Sequence, residues 1–546
     1  MRRHAPASLT LLCALVAIPG CSASSGEGDT SPPGSSGGPS SSAGDNGIAG
    51  TVGASATSNA GGTASPGGTV SSGGTTPIGG TSAAGGATSS AGGAPASGGA
   101  SSSGGASSSG GASPSGGSGG GTPVPTGHVI YAAPNGIDSA AGTIAAPTTL
   151  TAALTRVVAG GAIALRGGMY PYSTQVTIDA ANSGSAGKLK SLAAYSGEKP
   201  VLDFSAEPYG TGTNPRGLQL NGSYWHVTGI EVKGSADNGI YVAGNDNVIE
   251  GCIVHGNRDT GLQIGRAAST QTSMGDWPSN NLILNCESYD NYDAPPGSGE
   301  NADGFAAKLT VGPGNTFRGC VSHNNIDDGW DLYTKSDTGP IGSVTIDQCV
   351  SHHNGTLMDG TKNANGDRNG FKLGGEKIAV SHTVTRSIAF ANGKNGFTWN
   401  SNPGKIQLFN DLAFDNVEGN FLFGDSSTTT QAVFANDVSF WTSTGSDTSD
   451  KTIGTSVANS NAFWDASKSQ PSINGKGLLV TAADFATMLA APSVPRKADG
   501  SPDFSAFALA SGSDLRDAGV TPPGTLPFDA ASYYVGTPDL GAVEAR

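Results

Sequence analysis

The chain has 546 residues, a net charge of −15 and 86 glycines, and only 13% of its residues are charged. That balance excludes nucleic acid or an anionic membrane surface as a partner held by charge, and a polyanionic substrate would need cations to mediate contact. The length also overstates the folded part, because Gly, Ser, Ala, Thr and Pro dominate one long stretch near the N-terminus.

In chain order, Arg2 and Arg3 precede an apolar run, Leu9 to Ile18, that is too short to span a bilayer and fits a secretory h-region. It ends in Ile18-Pro19-Gly20-Cys21-Ser22, which resembles a bacterial lipoprotein signal over residues 1–21 with Cys21 as the lipidated residue. An ordinary secretory signal cleaved nearby is the alternative. The expectation is an exported protein, on the cell surface or outer membrane as a lipoprotein and otherwise secreted, touching membrane only through a lipid anchor. Residues 22–127 contain no Lys or Arg and cannot bury enough apolar surface to offset the entropy of ordering. They read as a flexible linker with a root-mean-square reach on the order of 55 Å.

The remaining residues, about 420 of them, suffice for one large core, and the chain is expected to act as a monomer. Thr149 to Val158 has helical spacing and is placed to cap the N-terminal end of a folded domain. From residue 128 to about 425 the chain repeats itself. The unit reads Cys-x-x-x-x-Asn, then x-x-x-Gly and an apolar residue, as in CIVHGNRDTGL from Cys252, CVSHNNIDDGW from Cys320 and SIAFANGKNGF from Ser387. Its glycines are Gly239, Gly261, Gly304, Gly329, Gly370, Gly396 and Gly419. A repeat in this range built from short strands predicts an all-β solenoid, a right-handed parallel β-helix in which equivalent residues stack from turn to turn. Ile240, Leu262, Phe305, Trp330, Phe371 and Phe397 form the expected inward apolar column, and Asn257, Asn291, Asn325, Asn354, Asn392 and Asn416 an asparagine ladder. Cys252, Cys286, Cys320 and Cys349 read as stacked buried thiols, with a disulfide between successive turns as the alternative. Residues 426–546 read as a β-helix extension and irregular C-terminal cap with one short helix, Thr481 to Ala491.

Aligning ENADGF (Glu300 to Phe305), DDGWDL (Asp327 to Leu332) and DRNGFKL (Asp367 to Leu373) on their glycines puts Asp303 and Asp328 in one column and Asp331 and Lys372 in another. Neighbouring rungs lie roughly 4.8 Å apart, so Asp303, Asp327, Asp328 and Asp331 crowd together and repel unless a cation sits among them. Oxygen ligands without His or Cys select a hard cation, with Ca²⁺ favoured over Mg²⁺; a calcium that only staples two turns is the bland alternative. Alternation places Lys372 outward on the same stripe. Beside a bound cation its ammonium form is disfavoured, which suits a general base removing a proton α to a carboxylate. Lys308 and Arg368, nearby by repeat position, are expected to bind substrate carboxylates.

NCESYDNYD (Asn285 to Asp293), ENADGFAAKL (Glu300 to Leu309), DDGWDLY (Asp327 to Tyr333) and NGFKLGG (Asn369 to Gly375) together resemble polysaccharide lyase family 9, the calcium-dependent pectate lyases. The resemblance implies a β-helix presenting Asp303, Asp327, Asp328 and Asp331 to calcium, Lys372 as Brønsted base, and polygalacturonate or pectin as substrate. The extra residues of TLMDGTKNANGDRNG (Thr356 to Gly370) depart from the family pattern beside the expected cleft. A lyase for another uronate polysaccharide and a non-catalytic glycan-binding β-helix are the competing readings.

Overall fold

The computed structural model describes residues 128–425, 429–442, 446–487 and 493–546. The signal, Cys21 and the linker lie outside the described residues. Within them every regular strand pair is parallel, and the strands collect into a first sheet of 12 strands from Val129–Ala132 to Thr455–Ser456, a second of 10 from Val176–Ile178 to Lys451–Thr452 and a third of 10 from Gly168–Pro171 to Val438–Phe440. Successive strands visit the three sheets in turn, so each circuit of the chain adds one rung to each sheet. This is the expected right-handed parallel β-helix.

The corners explain why short strands suffice. A left-handed residue precedes each cysteine-column position, as at Asn285 (φ 54°), Gly319 (φ 64°) and Gln348 (φ 56°), and turns the first sheet into the third. A second one precedes each ladder asparagine, as at Asp290 (φ 53°), Asn324 (φ 53°) and His353 (φ 54°). Asn, Asp and Gly tolerate that conformation best, and they supply most of these corners. The ladder behind them is continuous. Asn291 Nδ2 donates to Asn325 Oδ1 at 2.7 Å, Asn325 to Asn354 at 2.9 Å, Asn354 to Asn392 at 2.9 Å and Asn392 to Asn416 at 2.9 Å. A second ladder, Asn247–Asn281–Asn315, runs beside the first sheet.

Inside the coil the second sheet contributes large rings and the third sheet small side chains. Phe305, Trp330, Phe371, Phe397 and Phe421 stack at centroid spacings of 4.7–5.1 Å. Opposite them stand Ser288, Ser322 and Ser351. The column glycines are required by this close approach and not by their dihedrals: a Cβ on Gly304 would lie 2.0 Å from Ser322 Oγ, and one on Gly329 2.0 Å from Ser351 Oγ. Cys252, Cys286, Cys320 and Cys349 are free and buried, as stacked thiols.

At the N-terminal end the helix Leu150–Arg156, capped by Thr149, puts Leu150, Ala153 and Leu154 into the core, as expected. The other end differs in detail. Phe397 pairs with Phe421, so Asn420 and not Gly419 continues the glycine column. Beyond Asp425 the coil runs on through Val433–Ala435 and Val438–Phe440 to Lys451–Thr452 and Thr455–Ser456, in the segment read as a β-helix extension. In place of a helix from Thr481 there is one 3-10 turn, Ala482–Asp484, after which Phe485 bridges to Leu509 and stacks on Phe440 at 5.1 Å; residues 488–492 of that segment lie outside the described residues. Burial of Phe485 against the coil outweighs the helical spacing. The rest of the tail turns back along the outer face of the third sheet. There Phe504, Phe507, Leu509 and Leu515 cover Val321, Val350, Ile388 and Leu412.

Candidate active site

Phe305–Ala307, Trp330–Asp331 and Phe371–Lys372 are consecutive rungs of the second sheet, with Asp331 paired to Lys372 as the alignment required. The stacked rings fix their inward residues, and alternation sends Asp331 and Lys372 to the outer side. Asp303 and Asp328 come from the corner just before. One carboxylate oxygen from each of Asp303, Asp328 and Asp331 lies within 4.8 Å of the others, and all three residues are buried.

Asp303 Oδ2 accepts from Thr260 Oγ1 at 2.9 Å and from Lys308 Nζ at 2.7 Å. Asp328 Oδ1 accepts from Asn369 N at 2.7 Å and Nδ2 at 3.0 Å. Asp328 Oδ2 and Asp331 Oδ1 accept no hydrogen bond although both are buried. Asp328 Oδ2 is held only by the Lys372 ammonium and Asp331 Oδ1 has no partner, and such under-satisfied oxygens in a converging all-oxygen set fit a hard divalent cation. Asp327 stands to one side: its Oδ1 accepts the backbone amides of Asp367 and Arg368 and so shapes the loop before Lys372. The structure therefore gathers three of the four expected carboxylates and places the fourth at their edge.

Lys372 departs from expectation in its environment. It faces away from the coil interior yet is only 7% exposed. Its Nζ lies 3.1 Å from Asp328 Oδ2, 3.8 Å from Asp331 Oδ2 and 3.0 Å from Asp367 Oδ2, and 5.4 Å from the centroid of the Tyr333 ring. Lys308, expected to meet substrate, is instead inside the cluster, bonded to Asp303 and 3.2 Å from Asp331 Oδ2. Arg368 makes no ion pair with these carboxylates. It sits in a left-handed conformation (φ 60°), its stem packs across Gly355 and its Nε donates to Gly366 O at 3.1 Å.

The charges set one another. Burial raises Asp303 and Asp328 to about 7, against the lowering effect of Lys308 on the first and Lys372 on the second. Burial and the charges of Asp328 and Asp303 hold Asp327 well above the usual carboxylate range. Burial would lower Lys372, but Asp328, Asp331 and Asp367 outweigh it and raise the ammonium well above the ordinary lysine value. Asp367 is pushed up by burial but brought down to about 2 by Lys372 and Lys394. His323 and His352 take no part; they stack at 4.9 Å on the third sheet. Asp367 and Asn369 are functional neighbours that repeat alignment does not reveal, although both lie in the DRNGFKL segment that contains Lys372.

A parallel coil that presents clustered carboxylates and an adjoining lysine from consecutive rungs has the make-up of a β-helix polysaccharide lyase. The family model described as "Pel9A-like, right handed beta helix region" matches residues 130–433, and the chain belongs to that family, polysaccharide lyase family 9. It is a polysaccharide lyase of the pectate lyase type. Among curated relatives, pectate lyase L of Paenibacillus polymyxa (strain SC2) is 52% identical over 398 residues, covering 73% of this chain and 84% of that protein. The crystal structure of pectate lyase Pel9A is 31% identical with a TM-score of 0.62, covering 77% of this chain and 97% of its own. A rhamnogalacturonan lyase structure is 26% identical with a TM-score of 0.57, covering 70% and 97%. Family membership leaves the non-catalytic reading without support.

Proposed function

We propose that the chain cleaves polygalacturonate, the acidic backbone of pectin, by β-elimination, with Ca²⁺ held by Asp303, Asp328 and Asp331, Asp327 at their edge, and Lys372 as the Brønsted base. The observation that carries this reading is Lys372 packed against Asp328 and Asp331 beside the buried, unpartnered Asp331 Oδ1. When bound, the cation would supply positive charge beside a substrate carboxylate, which acidifies the adjacent C–H bond and stabilises the negative charge that develops. Lys372, which gives its own proton to solvent as the neighbouring carboxylates are neutralised, takes the proton from C5. The electron pair of that bond forms the C4–C5 double bond, the C4–O bond breaks, and the leaving oxygen takes a proton from solvent. Asp367 and Asn369 hold Lys372 and Asp328 in place for this step.

The test is ultraviolet absorbance of the unsaturated product on polygalacturonate, before and after chelation. Activity should vanish in chelator while the coil stays folded. It should return with calcium, return partly with other hard cations, and not return with zinc. Full turnover in excess chelator would remove the catalytic cation from the scheme. The likeness to a rhamnogalacturonan lyase supports a second reading, in which that polymer is the better substrate; the same assay on both polymers decides between them. We further propose that the protein is exported and anchored through Cys21, with the linker separating anchor from fold. Cys21→Ser should then release it from the membrane fraction with unchanged specific activity, and recovery of the wild-type protein only from the medium would refute the anchor.

A further inference from the structure

Lys308 comes directly after the strand Phe305–Ala307 and returns its side chain to the carboxylates. Its Nζ bonds Asp303 Oδ2 at 2.7 Å and approaches Asp331 Oδ2 at 3.2 Å, and the side chain is 12% exposed. Asp303 and Asp331 are two of the three residues whose oxygens converge within 4.8 Å. Lys372 serves the other side of the same cluster through Asp328, Asp331 and Asp367. The two lysines thus divide the carboxylates between them, with Asp331 shared. A divalent cation entering this cluster needs oxygen lone pairs that Lys308 already uses, and it brings a second positive charge close to the ammonium. Two like charges at this range in a water-poor site repel strongly.

We propose that Lys308 is a resident counter-ion that holds Asp303 and Asp331 together and competes with the divalent cation for them. It is a positioning residue that sets cation affinity, and the inference rests on the reading that this cluster takes Ca²⁺. The experiment is calorimetric titration of Ca²⁺ into chelator-stripped full-length protein at fixed pH and ionic strength, with thermal melts in chelator and in calcium. Lys308→Met should bind Ca²⁺ about tenfold tighter or more, the effect of removing roughly 1.4 kcal/mol of opposition. It should melt below wild type in chelator and show a larger rise in Tm on adding calcium. Lys308→Arg should stay within a few-fold of wild-type affinity because the charge remains. If Lys308→Met does not accumulate folded, Lys308→Gln, which keeps a donor for Asp303 without the charge, is held to the same expectation. Affinity equal to or weaker than wild type in the uncharged variant would overturn the proposal, since Lys308 would then orient Asp303 and not compete for it. Absence of calcium binding by the wild type would instead overturn the cation reading itself, and this inference with it.

Discussion

Lys372 is both the proposed base and the counter-ion of a fully buried Asp328. Its removal should therefore be felt twice. Lys372→Ala is expected to lower turnover by about two to four orders of magnitude, the range for a lost general base. In chelator it should also cost about 3–5 kcal/mol of stability, because a buried ion pair is broken from one side. Product absorbance and urea denaturation check the two parts, and near-normal turnover would place the base elsewhere. Lys372→Arg should also turn over poorly, since a guanidinium keeps its proton at working pH. The acids give a pH signature. Burial holds Asp303 and Asp328 at about 7, above an unfolded value of about 4. Such groups favour the fold when protonated: their contribution is full below about pH 4 and is lost as pH rises through about 7. In chelator the Tm should fall across that window, and calcium should remove most of the fall. A smaller slope should persist in calcium, because Asp411 and Asp437, buried in the cysteine column's continuation, are also raised well above the usual carboxylate range by burial. A chelated protein whose Tm is flat across this window would contradict the assignment.

At the scale of the rung, stability lies in ladders more than in any single contact. Asn354 Oδ1 accepts from both Asn325 N and Asn325 Nδ2, at 3.2 and 2.9 Å. Asn354→Ala should leave Asn325 N buried and unmet while Asn325 Nδ2 keeps Ser322 Oγ, at a cost of about 1–3 kcal/mol by chemical denaturation, with little change in calcium affinity. This level is also the most legible in the sequence. Columns one rung apart are fixed by register, so aligning Gly304, Gly329 and Gly370 stacks Asp303 on Asp328 and Asp331 on Lys372, as the structure has them. The asparagine ladder and the free cysteines are legible for the same reason. What register does not determine is hidden. Lys308 lies past the end of its strand, where alternation no longer gives side-chain direction, so repeat position points it to substrate and not to the cluster. The second role of Asp327 is hidden because no pattern shows that the inserted loop before Lys372 hands its backbone amides to that carboxylate. The burial of the outward-facing Lys372 is hidden because Asp367, which pairs with it, comes from the same insertion.

Over the whole molecule the tail matters as much as the coil. Arg496 donates to Gly319 O at 2.7 Å and to Cys286 O at 2.9 Å, and Asn285 Nδ2 donates to Asp499 O at 3.1 Å. Farther along, Asn410 Nδ2 donates to Asp539 O at 2.9 Å, and Phe507 packs against Phe390 and Phe414. Arg496→Ala should loosen the far end of this segment and expose it to limited proteolysis earlier than in wild type, with the coil fragment itself resistant. An array of identical rungs, each touching only its neighbours, would melt by peeling from its ends. A strap fastened both near Cys286 and near Phe440 makes that peeling cooperative, because no rung between the two fastenings can leave alone. The rungs of Phe305, Trp330 and Phe371 all fall inside that span. Hydrogen exchange should accordingly find their amides opening together and slowest, so that the proposed catalytic residues, drawn from three separate turns, are lost or kept as one unit.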